Sequence, residues 1–223
     1  AVIGSDEFDF MRLGSFDVDQ RLINPELDDL DLIRMYHYNF VDRLIDASPY
    51  TLFVWIFGNH DYRLYRYLLK NSPNIAKTVM RDFAELVRYQ GRVMFMGETD
   101  QVKIHNLIVA HGTRAGVNPA KQHFEIVGGQ INYMAGHVHR RSFWQRQGYY
   151  AGMASVTSGC LCELQPHYLG YRADKTAWEH GTAISEIRAN SDRAGALFEN
   201  LKFEDDGGVL SVRHHNLTFT AKG

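Results

Sequence analysis

The sequence is poor in cysteine, in long apolar runs and in net charge, and each shortage excludes a class of protein. Only two cysteines occur among the 223 residues, and a single residue separates Cys160 from Cys162, a spacing that suits a disulfide poorly. A disulfide framework is therefore not expected, and a reducing compartment is the simpler interpretation. No apolar run reaches about 18 residues, and the first residues lack the basic, apolar and small-residue order of a signal peptide. We therefore expect a cytoplasmic protein without a membrane segment.

The net charge and the length of the chain further narrow the class of protein. The 24 Lys and Arg residues balance 26 Asp and Glu, so the formal net charge is -2 and no basic excess indicates a nucleic-acid surface, although a local basic patch can serve the same purpose. A hydrophobic content of 45% is enough for one core, and we predict a single domain over residues 1–223. Eleven histidines are many for this length, and imidazole is a common ligand of transition metals. The positions of the histidines therefore matter.

Apolar spacing predicts alternating helices and strands as far as residue 137. Helices are predicted over residues 29–47, 61–70, 76–88 and 119–127. Strands are predicted over residues 51–57, 103–110 and 131–135, and residues 1–4 resemble the end of a buried strand. This order favours an α/β fold.

After residue 140 the sequence changes to short strand candidates separated by polar residues. These lie at residues 142–145, 149–156, 182–187, 197–203 and 209–219. We expect them to form a second, mostly antiparallel sheet that packs on the first within one domain.

Three of the apolar runs end in glycine or alanine followed by side chains that can bind a metal. The three segments are Gly58-Asn59-His60-Asp61, Ala110-His111-Gly112 and Gly136-His137-Val138-His139. Loops that leave the carboxyl ends of strands in an open α/β sheet converge on one crevice, so we expect these segments to share a site. Imidazole and oxygen ligands together suit a cation of borderline hardness. The candidate bridging carboxylates are Asp6 and Asp9.

In this order the segments resemble the motifs of the calcineurin-like metallophosphoesterase superfamily. Those motifs are Asp-x-His, Gly-Asp, Gly-Asn-His-Asp or Glu, a lone His, and Gly-His-x-His; four of the five are visible here, with Ser5 in place of the glycine before Asp6. More narrowly, residues 58–64, 136–140 and 158–162, with Tyr168 and Trp178, are similar to phosphoesterases of bacteriophages and their prokaryotic relatives. The resemblance implies an α-β-β-α sandwich, in which helices flank two packed mixed sheets.

The resemblance also implies a centre of two divalent cations, with manganese expected and iron or zinc as alternatives. The side chains that it assigns to the cations are Asp6, Asn59, His111, His137 and His139. Asp6 would bridge the cations, whereas His139 would serve the cation to which an Asp-x-His motif supplies two further ligands. That motif is absent from this sequence. We therefore expect the chain to be truncated at its N-terminus, with the first strand of the fold missing.

The reaction implied by the resemblance is hydrolysis of a phosphate ester by in-line attack of a hydroxide that bridges the two cations. His60 would donate a proton to the leaving oxygen, Asp61 would fix the tautomer of His60, and Arg63 would contact phosphate. A phosphodiester, nucleic acid or nucleotide is the expected substrate. A protein or a small-molecule phosphomonoester is the alternative.

Two other interpretations remain open at this point. A chain that lacks two ligands can be a catalytically incapacitated fragment or a binding module with one complete metal site. Cys160 and Cys162 can hold a soft metal, but small packed residues near a sheet edge are the favoured interpretation. The remaining histidines are interpreted as surface or core residues: His37, His105, His123, His167, His180, His214 and His215.

Overall fold

The computed structural model describes residues 2–4, 29–88, 91–146, 152–162, 164, 177–187, 196–207, 209–215 and 217–222. The chain divides into two compact units, Ala1–Asp100 and Gln101–Gly223. The predicted α/β class is confirmed, because helices alternate with the strands of a parallel and a mixed sheet. The assignment of residues 1–223 to a single domain stays a prediction.

The first unit is built on a parallel sheet of three strands. These are β1 (Val2–Gly4), β2 (Phe53–Ile56) and β3 (Val93–Met96), in the order β1-β2-β3. Every residue of β2 is buried, as expected for a central parallel strand that is covered on both faces. The strand predicted over residues 51–57 is therefore confirmed, whereas β3 was not predicted.

Three helices accompany this sheet, and their positions agree with the predicted ones to within three residues. They are α1 (Asp29–Ala47), α2 (Arg63–Asn71) and α3 (Pro73–Val87). Helix α3 begins at Pro73, where the N–H that proline lacks would have no partner within the helix. One buried cluster joins α1 and α3 to the sheet: Val41, Ile45, Phe53, Trp55, Phe57, Phe83 and Val93.

The second unit contains a mixed sheet of five strands and one helix. The strands are β4 (Gln101–Ile104), β5 (Leu107–Ala110), β6 (Asn132–Ala135), β7 (Ser142–Gln145) and β8 (Ala154–Thr157), and the helix is α4 (Pro119–Ile126). In the order β4-β5-β6-β8-β7 the three central strands are parallel and the two outer ones antiparallel. The carboxyl ends of β5, β6 and β8 therefore lie at the same edge.

Helix α4 crosses over between β5 and β6 and has clear local signals at both ends. The Asn118 side chain caps its N-terminus and Pro119 occupies its first turn. Beyond its C-terminus, Gly128 and Gly129 adopt φ values of 69° and 64°, and the Gly129 N–H donates to the Phe124 carbonyl at 2.9 Å. Left-handed glycines of this kind end helices, so the predicted helix and its glycine stop are confirmed.

A separate antiparallel sheet of four strands ends the second unit. Its strands are β9 (Gly181–Glu186), β10 (Leu197–Asp206), β11 (Val209–His214) and β12 (Leu217–Lys222), in the order β12-β11-β10-β9. The strands predicted over residues 103–110 and 209–219 are wrong as single strands, because each folds into a hairpin. His105 and His215 adopt φ of 52° and 53° at these turns, a conformation that histidine tolerates better than most residues.

The prediction that all strands after residue 140 form one sheet is also wrong. β7 and β8 complete the five-stranded sheet, in which β8 pairs in parallel with β6. The described residues thus form three sheets, where the sequence predicts two. None of the described helices combines the length and the apolarity needed to cross a membrane.

Candidate functional site

The candidate site of the second unit lies where the parallel strands β5, β6 and β8 end. Backbone hydrogen bonds continue the ladder past the strands: the Gly136 N–H donates to the His111 carbonyl at 2.9 Å, and the Ser158 N–H donates to the Ala135 carbonyl at 3.0 Å. His111 follows β5 directly, and His137 comes two residues after the end of β6. Neighbouring parallel strands therefore deliver both imidazoles to one edge of the sheet.

The structure brings these two predicted ligands together. His111 Nε2 lies 3.1 Å from His137 Nδ1, and the ring planes meet at 74°. Only 1% of His111 is exposed, so the protein encloses this ring almost completely. A distance of 3.1 Å fits either a hydrogen bond between the two rings or two nitrogens that bind the same cation.

The backbone that carries His137 and His139 is strained. Their φ values of 66° and 54° lie in the left-handed region, which costs a residue with a side chain about 1–2 kcal/mol. The Val138 N–H donates to the Gly136 carbonyl at 2.8 Å and closes a three-residue turn around His137, a rare and strained turn when φ is positive. Strain of this kind concentrates at functional sites, where the surrounding structure maintains it.

His123 on α4 holds the loop that follows β5. Its fully buried ring accepts hydrogen bonds at Nε2 from the Thr113 N–H at 3.1 Å and the Arg114 N–H at 3.2 Å, and it stacks on Tyr133. An accepting nitrogen requires the neutral ring. Burial lowers the pKa of His123 to about 4, and the neighbouring His137 acts in the same direction. His123 therefore positions the loop as a neutral core histidine.

Mild acid is expected to destabilise the fold through His123. Its pKa is about 4 in the folded protein, against the ordinary histidine value of 6.5 in the unfolded chain, so between these values the unfolded chain binds more protons. The free energy of unfolding therefore falls as pH drops below about 6.5, by about 2 kcal/mol between about pH 7 and pH 5. Urea unfolding at both pH values measures this loss. His123→Gln retains an acceptor oxygen without titrating, so an equal pH dependence in the variant and the wild type would contradict the assignment.

His139 lies beside two cysteines. Its Nδ1 is 3.9 Å from Cys162 Sγ, and Trp178 packs edge-on against it with 4.3 Å between ring centroids. Cys160 is buried and Cys162 is exposed. The candidate ligand atoms of His139, Cys160 and Cys162 all lie within 4.8 Å of one another. The sequence favours packed cysteines here, whereas the structure shows a group of three side chains that can bind a metal.

The two thiols influence each other's ionisation. A hydrogen bond with Cys162 lowers the pKa of Cys160 despite its burial, and the same contact together with burial raises the pKa of Cys162. Cys160 is therefore the sulfur that ionises first, and the pair carries one thiolate before it carries two.

The other predicted residues lie in the first unit, in the turn between β2 and α2. This turn contains Asn59 and His60, and α2 begins at Arg63, whose N–H donates to the His60 carbonyl at 2.9 Å. Asp61 is fully buried, and its Oδ2 accepts a hydrogen bond from the Gly58 N–H at 2.6 Å. The Asp61 carboxylate thus closes the turn, while its predicted effect on the tautomer of His60 stays a prediction.

Arg66 supports the same turn, although the motif does not point to it. Its Nη1 donates to the Asn59 carbonyl at 2.9 Å, and its Nη2 donates to the two oxygens of Glu98 at 3.0 and 2.8 Å. An exposed ion pair contributes at most about 1 kcal/mol to stability. The more specific effect of Arg66 is to fix the backbone that carries Asn59.

The structure does not test the rest of the predicted ligand set. Asp6 and Asp9 lie outside the described residues, so the bridging role of Asp6 stays a prediction. Asn59 belongs to the first unit, whereas His111 and His137 belong to the second. That all three bind one cation therefore also stays a prediction.

A second group of three potential ligands lies on the four-stranded sheet. Glu199 Oε2 is 3.1 Å from His214 Nδ1 and 3.9 Å from His215 Nε2. From the sequence, both histidines are expected at the surface or in the core. A hydrogen bond from the His214 ring to the Glu199 carboxylate accounts for the shorter contact without a cation.

No family model matches the sequence, and no curated protein matches it significantly. Membership of the metallophosphoesterase superfamily therefore stays a prediction from the motifs, and the function has to be inferred from the residues of the chain itself.

Proposed function

We propose that the protein is a metal-dependent phosphoesterase, with a phosphodiester of a nucleic acid or nucleotide as its substrate. The observation that carries this proposal is the 3.1 Å distance between His111 Nε2 and His137 Nδ1 at the ends of adjacent parallel strands. The order of the motifs supports phosphate-ester chemistry at these histidines. A protein or small-molecule phosphomonoester is the alternative substrate.

The spacing of the two histidines fits a shared cation. Two nitrogens bound to zinc at about 2.0–2.1 Å, with ligand angles of about 90–109°, lie about 2.9–3.4 Å apart. The observed 3.1 Å falls inside this interval. Asp6 and Asn59 complete the proposed ligand set with oxygen donors, a mixture that suits manganese and also accommodates iron or zinc.

A bound divalent cation would supply Lewis acidity, which makes water more acidic and neutralises charge on phosphoryl oxygens. The chain would position the ester and move the proton. A ring N–H of His60 would donate to the leaving oxygen, and the Arg63 guanidinium would bind a phosphoryl oxygen. Asp61 and Arg66 support these roles, because they fix the turn that carries His60.

We extend the proposal to the sheet arrangement and the second cation that the resemblance implies. It includes an α-β-β-α sandwich of two packed mixed sheets and a second divalent cation bound by His139. A crystal structure of the protein grown with manganese would test both features. The coordinates would show how the sheets are arranged, and the anomalous signal would count the cations.

Hydrolysis of bis-p-nitrophenyl phosphate and p-nitrophenyl phosphate with added manganese tests the proposed activity. We expect His111→Asn to lower the manganese-dependent rate about tenfold to hundredfold, because the enclosed imidazole is replaced by a shorter and weaker ligand. His105→Asn is the matched control. It makes the same substitution at a hairpin turn where φ is 52°, a conformation that asparagine adopts readily, and its rate should equal that of the wild type.

Two results would count against hydrolysis at this site. One is an equal rate in His111→Asn, His105→Asn and the wild type. The other is manganese binding with no hydrolysis, which would favour the binding module instead. A faster rate on the diester supports a nucleic-acid or nucleotide substrate, and a faster rate on the monoester supports the alternative.

A further inference from the structure

The group formed by His139, Cys160 and Cys162 differs chemically from the histidine pair described above. Two sulfurs and one imidazole select a soft cation, whereas an oxygen-rich ligand set suits manganese. We propose that these three side chains bind one zinc ion through His139 Nδ1 and the two cysteine sulfurs. This assignment does not require phosphate-ester hydrolysis.

The distances between the ligand atoms fit this assignment. In a tetrahedral site with Zn–S of about 2.3 Å and Zn–N of about 2.0–2.1 Å, the ligand atoms lie about 3.5–3.8 Å apart. His139 Nδ1 is 3.9 Å from Cys162 Sγ, and all three atoms lie within 4.8 Å of one another. Zinc would therefore draw any two of these atoms together by at most about 1.3 Å. Cys162 is exposed, so its side chain has room for this movement.

The backbone of Cys160 is fixed before any metal binds. The Cys160 N–H donates to the Glu179 carbonyl and the Gly181 N–H donates to the Cys160 carbonyl, both at 3.0 Å. A Cβ atom at Gly159 would collide with the Glu179 carbonyl oxygen, so glycine is required for the two segments to approach this closely. One sulfur is thus carried on a rigid support.

Residues 178–180 also contact the other two proposed ligands, His139 and Cys162. Trp178 packs against the ring of His139, and the Glu179 N–H donates to the His139 carbonyl at 3.0 Å. His180 Nε2 lies 2.9 Å from the Cys162 carbonyl oxygen. Three consecutive residues therefore contact all three proposed ligands. Supporting contacts of this kind orient the ligands of metal sites in proteins.

Three protein ligands leave one position of a tetrahedral zinc for water or another donor, as in open zinc sites. A neutral imidazole offers one lone pair, so His139 could bind this zinc and a second cation together only by losing its remaining ring proton to solvent and bridging them as an imidazolate. With a neutral His139, the zinc takes the place of the second cation of the proposed hydrolytic centre and leaves the cation bound by His111 and His137 unaffected.

Cobalt(II) absorption tests the site, since bonds from cobalt to thiolate sulfur produce charge-transfer absorption in the near ultraviolet. The full wild-type chain, kept reduced with a phosphine, should develop this absorption with about one cobalt per chain and lose it when zinc is added. Cys160→Ser and Cys162→Ser should each retain about half of the absorption, because one of two sulfurs remains. His215→Ala, at an exposed histidine of the other group, and His111→Asn should leave it unchanged.

Absence of the charge-transfer absorption in the wild type at saturating cobalt would overturn the zinc site. Full absorption in a double variant that carries both Cys160→Ser and Cys162→Ser would also overturn it. The wild-type spectrum decides by itself, so the test does not depend on the folding of a variant. Its outcome is also separate from the assay of hydrolysis: absorption without hydrolysis refutes only the phosphoesterase, and hydrolysis without absorption refutes only the zinc site.

Discussion

Glycine at position 137 is expected to give a more stable fold than alanine, while both variants lose hydrolysis. His137 has a φ of 66°, where any side chain costs about 1–2 kcal/mol. Glycine avoids this cost but loses about 0.5–1 kcal/mol through the greater freedom of the unfolded chain. His137→Gly should therefore be more stable than His137→Ala by about 1 kcal/mol, the reverse of the order inside a helix. Both lack the imidazole, so the manganese-dependent rate should fall more than about 100-fold.

Urea unfolding and the hydrolysis assay measure the two halves of this prediction. His105 is the matched control, because it has a φ of 52° in the hairpin between β4 and β5. His105→Gly should likewise be more stable than His105→Ala, with hydrolysis at the wild-type rate. A more stable alanine at position 137 would exclude the strained turn. Retained hydrolysis in either variant at 137 would exclude His137 from the centre.

A positive φ alone does not identify a functional histidine, because His105 has nearly the same φ at a hairpin turn. His137 and His139 differ from His105 in their contacts: His137 Nδ1 lies 3.1 Å from His111 Nε2, and His139 Nδ1 lies 3.9 Å from Cys162 Sγ. The strained backbone therefore coincides with groups of potential metal ligands.

The helices and the central strand of the first unit could be predicted because their signals are local. Apolar residues recur at helical spacing through α1 and α3, and the four residues of β2 are apolar without interruption. Pro119 and Gly128 bracket α4 with a start and a stop. Each of these signals lies within a few residues of the element that it predicts.

The sheet to which each later strand belongs could not be predicted, because strand pairing depends on contacts between distant residues. β8 contains Ser155 and Thr157, which suggest a strand exposed on one face, yet both are fully buried in the five-stranded sheet. Thr157 Oγ1 donates to the Arg140 carbonyl at 2.9 Å, a partner that removes the cost of burying the hydroxyl. Nothing near Thr157 in the sequence indicates this acceptor.

The candidate site likewise has one part that could be predicted from the sequence and one part that could not. The pairing of His111 with His137 follows from parallel strands that end side by side, a rule that can be applied to a sequence. The group of His139 with the two cysteines depends on residues 178–180. The narrower resemblance includes Trp178, but it does not indicate which side chains that segment contacts. The interpretation of His123 as a surface or core residue is confirmed, since it is a buried core histidine. Its support of the loop could not be predicted, because its partners are backbone N–H groups, which every loop contains.

Asp61→Ala is expected to lower the free energy of unfolding by about 3 kcal/mol. The carboxylate is fully buried, and it accepts the Gly58 N–H at 2.6 Å. Alanine removes this hydrogen bond and leaves the buried Gly58 N–H without its acceptor, a loss of about 1–3 kcal/mol, and complete burial places the expected value at the upper end. Asp61→Asn keeps an oxygen acceptor and should lose about half as much. Urea unfolding of the three proteins measures the difference.

The chain contains a matched control for this prediction. The Gly97 N–H donates to Asp100 Oδ2 at 2.6 Å with the same separation of three residues, but Asp100 is exposed. Water can replace the lost acceptor there, so Asp100→Ala should cost at most about 1 kcal/mol. Equal losses in Asp61→Ala and Asp100→Ala would show that burial does not set the cost. If Asp61→Asn lowers hydrolysis more than its loss of stability explains, Asp61 also orients His60, as the motif implies.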